Sequence, residues 1–257
     1  MPTDVQVHEQ LKTVFQSKIP SGGEIAAAAV ARSLRRHKND RKWIKHNFSK
    51  LIESVQLDAY EEYLRNEVVA GRKSLAKVFL PLAGKNPTAK DLIDRIGKHF
   101  HALDRFFLGL TQGRRARAGG AFEYLIKELF VQMRYPFSSQ PIINGQPDFI
   151  LPSVEHFRLH AADCIIFTVK RSLRERWRQI VTEGTRGLGF YLATIDEKIG
   201  ANDLAEMNRA RINLVVPTRI KALRADYEDA PNVITFEQFF RFHLDPGMKR
   251  WRAAGII

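Results

Sequence analysis

Two residues near the middle of this 257-residue chain have the types and placement for phosphodiester chemistry. Asp148 follows a proline and opens an apolar run to Leu151, and Lys170 closes another run, Cys164 to Val169. Hydrolysis of a phosphodiester needs an activated water, neutralised phosphate charge and help for the leaving oxygen; one or two Mg2+ ions held by carboxylates supply all three. Mg2+ keeps several of its waters, so few protein carboxylates are required. A lysine beside them orients the water and stabilises developing negative charge. The layout needed is an Asp at the start of one strand and a lysine at the end of its neighbour. Pro147-Asp148 and Lys170, with 21 residues between Asp148 and Lys170, have that layout. A Pro-Asp turn followed by a strand ending in lysine also arises by chance, so the pair needs support from its surroundings.

The usual form of this site has a further acid two residues before the lysine, and here that position is Thr168. Either the site is inactive or the second acid comes from elsewhere. Glu183 is the natural substitute, 13 residues past Lys170 on a helix expected to open at Ser172. Leu173, Trp177, Ile180, Val181 and Leu188 form one apolar stripe of that helix, and Glu183 falls beside the stripe, where it can lie partly buried near the strand ends. Glu123, next to Phe122 on another expected helix, is a further candidate. Either glutamate can equally be an ordinary exposed helix acid. Arg174, Glu175 and Arg176 also have two readings. Ser172 with Glu175 fits a capping box flanked by solvated arginines. Alternatively, arginine donates two hydrogen bonds to guanine and glutamate accepts from cytosine, which makes the trio a reader of G·C pairs.

The elements that must hold these residues follow from hydrophobic spacing. Residues before 110 read as mainly helical: a short helix with Val5, Leu11, Val14 and Phe15, an alanine-rich helix over Glu24–Arg36, an amphipathic helix from Asp58, and a helix begun by the capping-box-like Thr88–Asp91. Gln112 to Gly120 reads as a basic, glycine-punctuated loop carrying Arg114, Arg115 and Arg117. It feeds a helix from about Ala121 to Met133. Strands are expected at Asp148–Leu151, Cys164–Val169, Phe190–Thr194 and Ile212–Val216, followed by a short strand and an aromatic helix within Val233–Leu244. Alternation of this kind predicts an α/β (α+β) fold, a mixed central sheet flanked by helices. The division expected is a helical N-terminal region, 1–110, continuous with a core at 111–257.

Composition narrows the partners. Lys and Arg total 41 against 28 Asp and Glu, a formal charge of +13, which favours a polyanion because phosphate contacts release counterions. The strongly basic run from Arg35 to Lys45 has Trp43 embedded in it. The single cysteine, Cys164, excludes an intrachain disulfide or a cysteine zinc site and suits a reducing cytoplasm. No signal peptide is expected near Met1, and no apolar run approaches the ~20 residues of a membrane helix.

Taken together, RRARAGGAFE (114–123), PDFILPS (147–153), VKRSLRERWRQIVTE (169–183) and LVVP (214–217) resemble the type II restriction endonucleases of the EcoRII catalytic-domain and PspGI group. The resemblance covers about residues 111–220. It implies a restriction-endonuclease-like fold and Mg2+-dependent double-strand cleavage at palindromic sites with CC and GG half-sites. In that group the second acid has moved onto the helix after the lysine. The resemblance therefore implies Asp148 and Glu183 as metal ligands, Lys170 as the catalytic lysine and Glu123 as a supporting acid. Arg174, Glu175 and Arg176 would read C·G pairs in the major groove, and Gln112 would approach the minor groove. Arg114, Arg115 and Arg117 would touch the DNA backbone. A homodimer on double-stranded DNA is implied, and such dimers can associate further. Some members extrude a base; Trp43, Arg72 and Phe79 are the residues available for such a pocket. An extra N-terminal effector domain, carried by some members, is not expected before residue 110.

Two other functions fit the same residues: a non-cleaving sequence-specific DNA binder, favoured by Thr168, and a structure-selective repair nuclease on the same core. The histidines add little. His156 and His160 are expected on a surface loop, and His99 and His101 on opposite sides of a helix as structural residues.

Overall fold

The computed structural model describes residues 2–37, 40–142, 146–173 and 189–257, and the side chains of all of these except 115–119. It comprises two compact units, Met1–Ala28 with Leu57–Ala121, and Ala29–Gln56 with Phe122–Ile257.

The first unit is helical. Helix α1, Asp4–Gln16, opens on a reciprocal capping box in which the Thr3 hydroxyl accepts from the Gln6 N–H and the Gln6 side chain accepts from the Thr3 N–H. Its buried residues Val7, Leu11 and Phe15 fall at a spacing of one turn. They form one cluster with Ala70, Val78 and Phe79 of α4 (Phe48–Ala83, which follows α2, Gly22–Ser33, and α3, Arg41–His46, in sequence) and Ala102, Leu103 and Phe106 of α6 (Phe100–Gln132). Phe79 is thus a core residue and does not present a free ring for a base. Helix α5, Ala89–Lys98, starts at the Thr88–Asp91 capping box read from the sequence. His99 ends it, is buried, and bonds the Asp4 carboxylate at 2.7 Å; His101 is exposed, against the structural role expected for it.

The expected loop at Gln112–Gly120 is helix, part of the unbroken α6. Its alanine and arginines are among the best helix formers, and each glycine costs only about 1 kcal/mol. Apolar residues on both sides, Phe106 before it and Phe122, Leu125 and Ile126 after it, are buried at helical spacing.

The second unit holds a six-stranded sheet in the order β1 to β6: Ser138–Ser139, Phe149–Leu151, Ile165–Val169, Gly189–Ala193, Ile212–Val216 and Val233–Thr235. β1, β2 and β3 pair antiparallel, and β3 to β6 pair parallel. This is the mixed sheet flanked by helices that the alternation predicts, and Ile212–Val216 has the expected bounds. All five residues of β3 are buried, as a strand covered on both faces requires.

One face carries Ile166, Phe190, Leu192, Leu214 and Val216 against helical residues Leu204, Met207 and Tyr227. The other face is aromatic. Phe130 of α6 packs edge-on to Phe167 with centroids 5.5 Å apart, and Phe149, Phe48 and Phe240 close the same cluster. Phe239 and Phe240 come from the expected aromatic helix, Phe236–Phe239, and the π-helical turn Phe240–Leu244 that continues it.

A helix, Val154–His160 (α7), replaces the loop expected around His156 and His160. His160 is exposed, but His156 bonds Asp163 at 2.9 Å. Asp163 also accepts from the Trp251 indole (3.0 Å) and the Arg250 guanidinium (2.5 Å), which ties the final helix, Asp245–Ala253, to the start of β3. In the basic run, Lys45 pairs with both oxygens of Asp245 at 2.8 Å, and Trp43 stacks on His37 at 3.6 Å.

Cys164 is wholly buried at the head of β3, and desolvation followed by the charge of Asp163 pushes its thiol up to about 12. The thiolate is the reactive form, so a maleimide or iodoacetamide should leave Cys164 unmodified at pH 8 until the chain is unfolded. Stoichiometric labelling of the folded protein, read by mass spectrometry, would contradict the burial.

Candidate active site

The β2–β3 register brings Asp148 and Lys170 together. Phe149 pairs with Phe167 and Ile150 with Ile166. Continued by one residue, the register sets Asp148 across from Thr168, at the end of the sheet where β3 runs out into Lys170. Asp148 is 6% exposed. Its Oδ2 accepts from the Val169 backbone N–H at 2.6 Å and from Lys170 Nζ at 3.2 Å. The Lys170 backbone N–H meanwhile donates to Ala193 O at 2.9 Å, which extends the β3–β4 pairing by one residue. Both residues are therefore held from the main chain, and the lysine tip stays partly open to solvent.

Glu123 on α6 joins them through a residue that sequence reading missed. Gln140, just past β1, takes a left-handed backbone conformation, φ 48°. Its N–H donates to the Asp148 carbonyl at 2.8 Å and its side-chain amide donates to Glu123 at 3.0 Å. Burial, and then the negative charge of Asp148, hold the Glu123 carboxyl above the usual carboxylate range, while Gln140 and Lys170 pull the other way. A carboxyl whose ionisation is opposed by burial and by a second carboxylate suits a divalent cation, whose charge relieves the repulsion. Oδ1 of Asp148 takes no hydrogen bond from the described residues. Among those residues, no three potential ligands converge. Such an ion would be held at Asp148, with Glu123 and Lys170 beside it.

Asp196 is a second residue that went unread. Its carboxylate accepts from the Leu173 N–H at 2.9 Å and the Lys198 N–H at 3.0 Å, and its own N–H donates to Thr194 Oγ1 at 3.0 Å. It thereby anchors the chain three residues past Lys170, just before Arg174. An Asp two residues after a Thr at a strand end is a local turn signal that could have flagged it.

The remaining candidates divide. Gln112 is exposed on α6, within the first unit. Arg114, in the same unit, directs its guanidinium at Glu67, with Nε at 3.0 Å from each carboxylate oxygen, and Glu67 is buried and also bonds Tyr63 at 2.7 Å. A phosphate would have to share Arg114 with that carboxylate. The side chains of Arg115 and Arg117 lie outside the described residues, as do Arg174, Glu175, Arg176 and Glu183.

Comparison with known proteins bears on the chain's family and fold. The family described as EcoRII C terminal matches residues 85–240. The type II restriction enzyme EcoRII of Escherichia coli is 29% identical over 150 residues, 52% of this chain and 37% of that protein. The type II restriction enzyme SsoII of Shigella sonnei is 28% identical over 154 residues, 55% of this chain and 50% of that protein. The match thus spans half or less of either relative. Among solved structures, metal-depleted Ecl18kI in complex with uncleaved, modified DNA superposes with a TM-score of 0.83 at 21% identity, covering 100% of this chain and 87% of that one. The PspGI–substrate DNA complex gives 0.58 at 19%, covering 91% and 94%. The fold is that of these restriction endonucleases.

Proposed function

The chain belongs to the EcoRII C-terminal family, and on that premise we propose that it is a type II restriction endonuclease making Mg2+-dependent double-strand cuts in DNA. The observation that carries this reading is the Asp148–Lys170 pair, fixed by backbone hydrogen bonds at neighbouring strand ends. The similar structures are DNA complexes, and the net charge of +13 suits the same partner. In this reading Asp148 would hold Mg2+ together with Glu183, from the helix expected after Lys170, and the ion would supply an activated water and screen the phosphate. Lys170 stabilises charge on the phosphate, and Glu123 supports the pair. Arg174, Glu175 and Arg176 read the CC and GG halves of a palindromic site, with Gln112 at the minor groove and Arg114, Arg115 and Arg117 on the backbone. A two-fold site calls for a homodimer. The helical N-terminal region contributes dimer and DNA contacts, and the enzyme works in the cytoplasm.

The test is incubation of the purified protein with unmethylated plasmid and Mg2+. Discrete fragments are expected, and none when EDTA replaces the metal. Plasmid left intact across varied sequences, but bound specifically, would support the non-cleaving reading that Thr168 invites. Cutting of branched DNA without sequence preference would support a repair role.

A further inference from the structure

Thr168 is the residue of the site that the proposed chemistry does not use. It occupies the place of the missing acid. Its side chain is 0% exposed, and its Oγ1 has no hydrogen-bond partner among the described residues. Alternation along β3 puts it on the same face as Ile166 and Lys170. Its partner in β4 is Leu192, and Ile166, Leu192 and Leu173 are all fully buried in one apolar cluster. Across the antiparallel pairing stands Asp148. Among the described residues, the hydroxyl is walled by apolar groups on one side, and the polar groups near it are those of Asp148 and Lys170.

A valine would fill this site with the same shape. A buried hydroxyl left unpaired is unfavourable relative to valine, and native structures almost always pair such groups. No described residue pairs the Thr168 hydroxyl, so a group bound at the site is the partner expected. We propose that Thr168 is a positioning residue whose hydroxyl accepts a hydrogen bond from a water in the hydration shell of a divalent cation held at Asp148. Mg2+ keeps most of its waters when bound by one or two carboxylates, so it brings a donor that the hydroxyl oxygen lacks. A carboxylate at this position would bind the ion itself; a hydroxyl keeps the hydrogen-bonding place and leaves the charge to be supplied by another acid. This inference rests on the reading of Asp148 as a metal ligand.

The experiment compares the full-length protein with Thr168→Val, Thr168→Ser and Asp148→Asn by thermal melting, first in EDTA and then across a Ca2+ titration. Thr168→Val should melt at or above the parental temperature in EDTA, because it loses only an unpartnered hydroxyl. Its Ca2+ midpoint should rise by about ten- to a hundredfold, the usual effect of removing a group that supports a metal from its outer shell. Thr168→Ser should stay near the parental midpoint. A parental midpoint in Thr168→Val, alongside a weakened one in Asp148→Asn, would overturn the role of the hydroxyl and leave the metal site standing. Destabilisation of Thr168→Val in EDTA would also overturn it, since the hydroxyl would then be paired in the metal-free fold. Unchanged midpoints in both Thr168→Val and Asp148→Asn would overturn the inference together with the metal assignment beneath it.

Discussion

Asp148→Asn and Lys170→Ala should each lower the rate of DNA cleavage by about a thousandfold or more, the scale for loss of a metal ligand or of a group that stabilises transition-state charge. Asparagine is the cleaner replacement at Asp148. Its amide oxygen can still accept from the buried Val169 N–H, which the native carboxylate holds at 2.6 Å. Alanine would strand that N–H and cost about 1–3 kcal/mol of stability, mixing a folding defect into the kinetics. Single-turnover cleavage with saturating enzyme, read beside the melting temperature, separates the two effects. A folded Asp148→Asn variant that cuts at the parental rate would remove Asp148 from the reaction.

The second large effect concerns the helix expected after Lys170. If one rigid element carries base-reading residues at its start and a metal ligand three turns later, the two functions should separate by mutation. Glu175→Ala should weaken binding to the target relative to unrelated DNA by about ten- to a hundredfold, the worth of one base-edge contact. Glu183→Ala should abolish cleavage and leave specific binding in Ca2+ largely intact. The described geometry supports a fixed start for this segment, since Asp196 holds the Leu173 N–H at 2.9 Å. Loss of specific binding in a folded Glu183→Ala protein would argue against the division of roles.

The parts of the molecule readable from residues alone were those set by local spacing. Ile212–Val216, a five-residue apolar run ended by Pro217, is a strand with the bounds the run suggests. Asp148 and Lys170 could be set side by side from the sequence because each stands at one end of such a run. β1 was missed because two serines carry no apolar alternation; Ser138–Ser139 is a strand only because β2 lies beside it. Gln112–Gly120 was misread because its glycines were weighed one by one, while the buried residues on either side hold a single helix. Gln140 and Asp196 act through partners 17 and 23 residues away, at distances that no local pattern records. Thr168 was legible only as a missing acid; its buried, unpaired hydroxyl became visible once β2, β3 and β4 were in register.

Sequencing the ends of plasmid DNA cut by the purified protein in Mg2+ tests site-specific cleavage most directly. The expected result is a single short palindrome with CC and GG half-sites at every break, one fixed overhang, and no breaks with Asp148→Asn. Ends scattered without a shared sequence, or the same ends from the Asp148→Asn protein, would contradict a restriction endonuclease acting through Asp148.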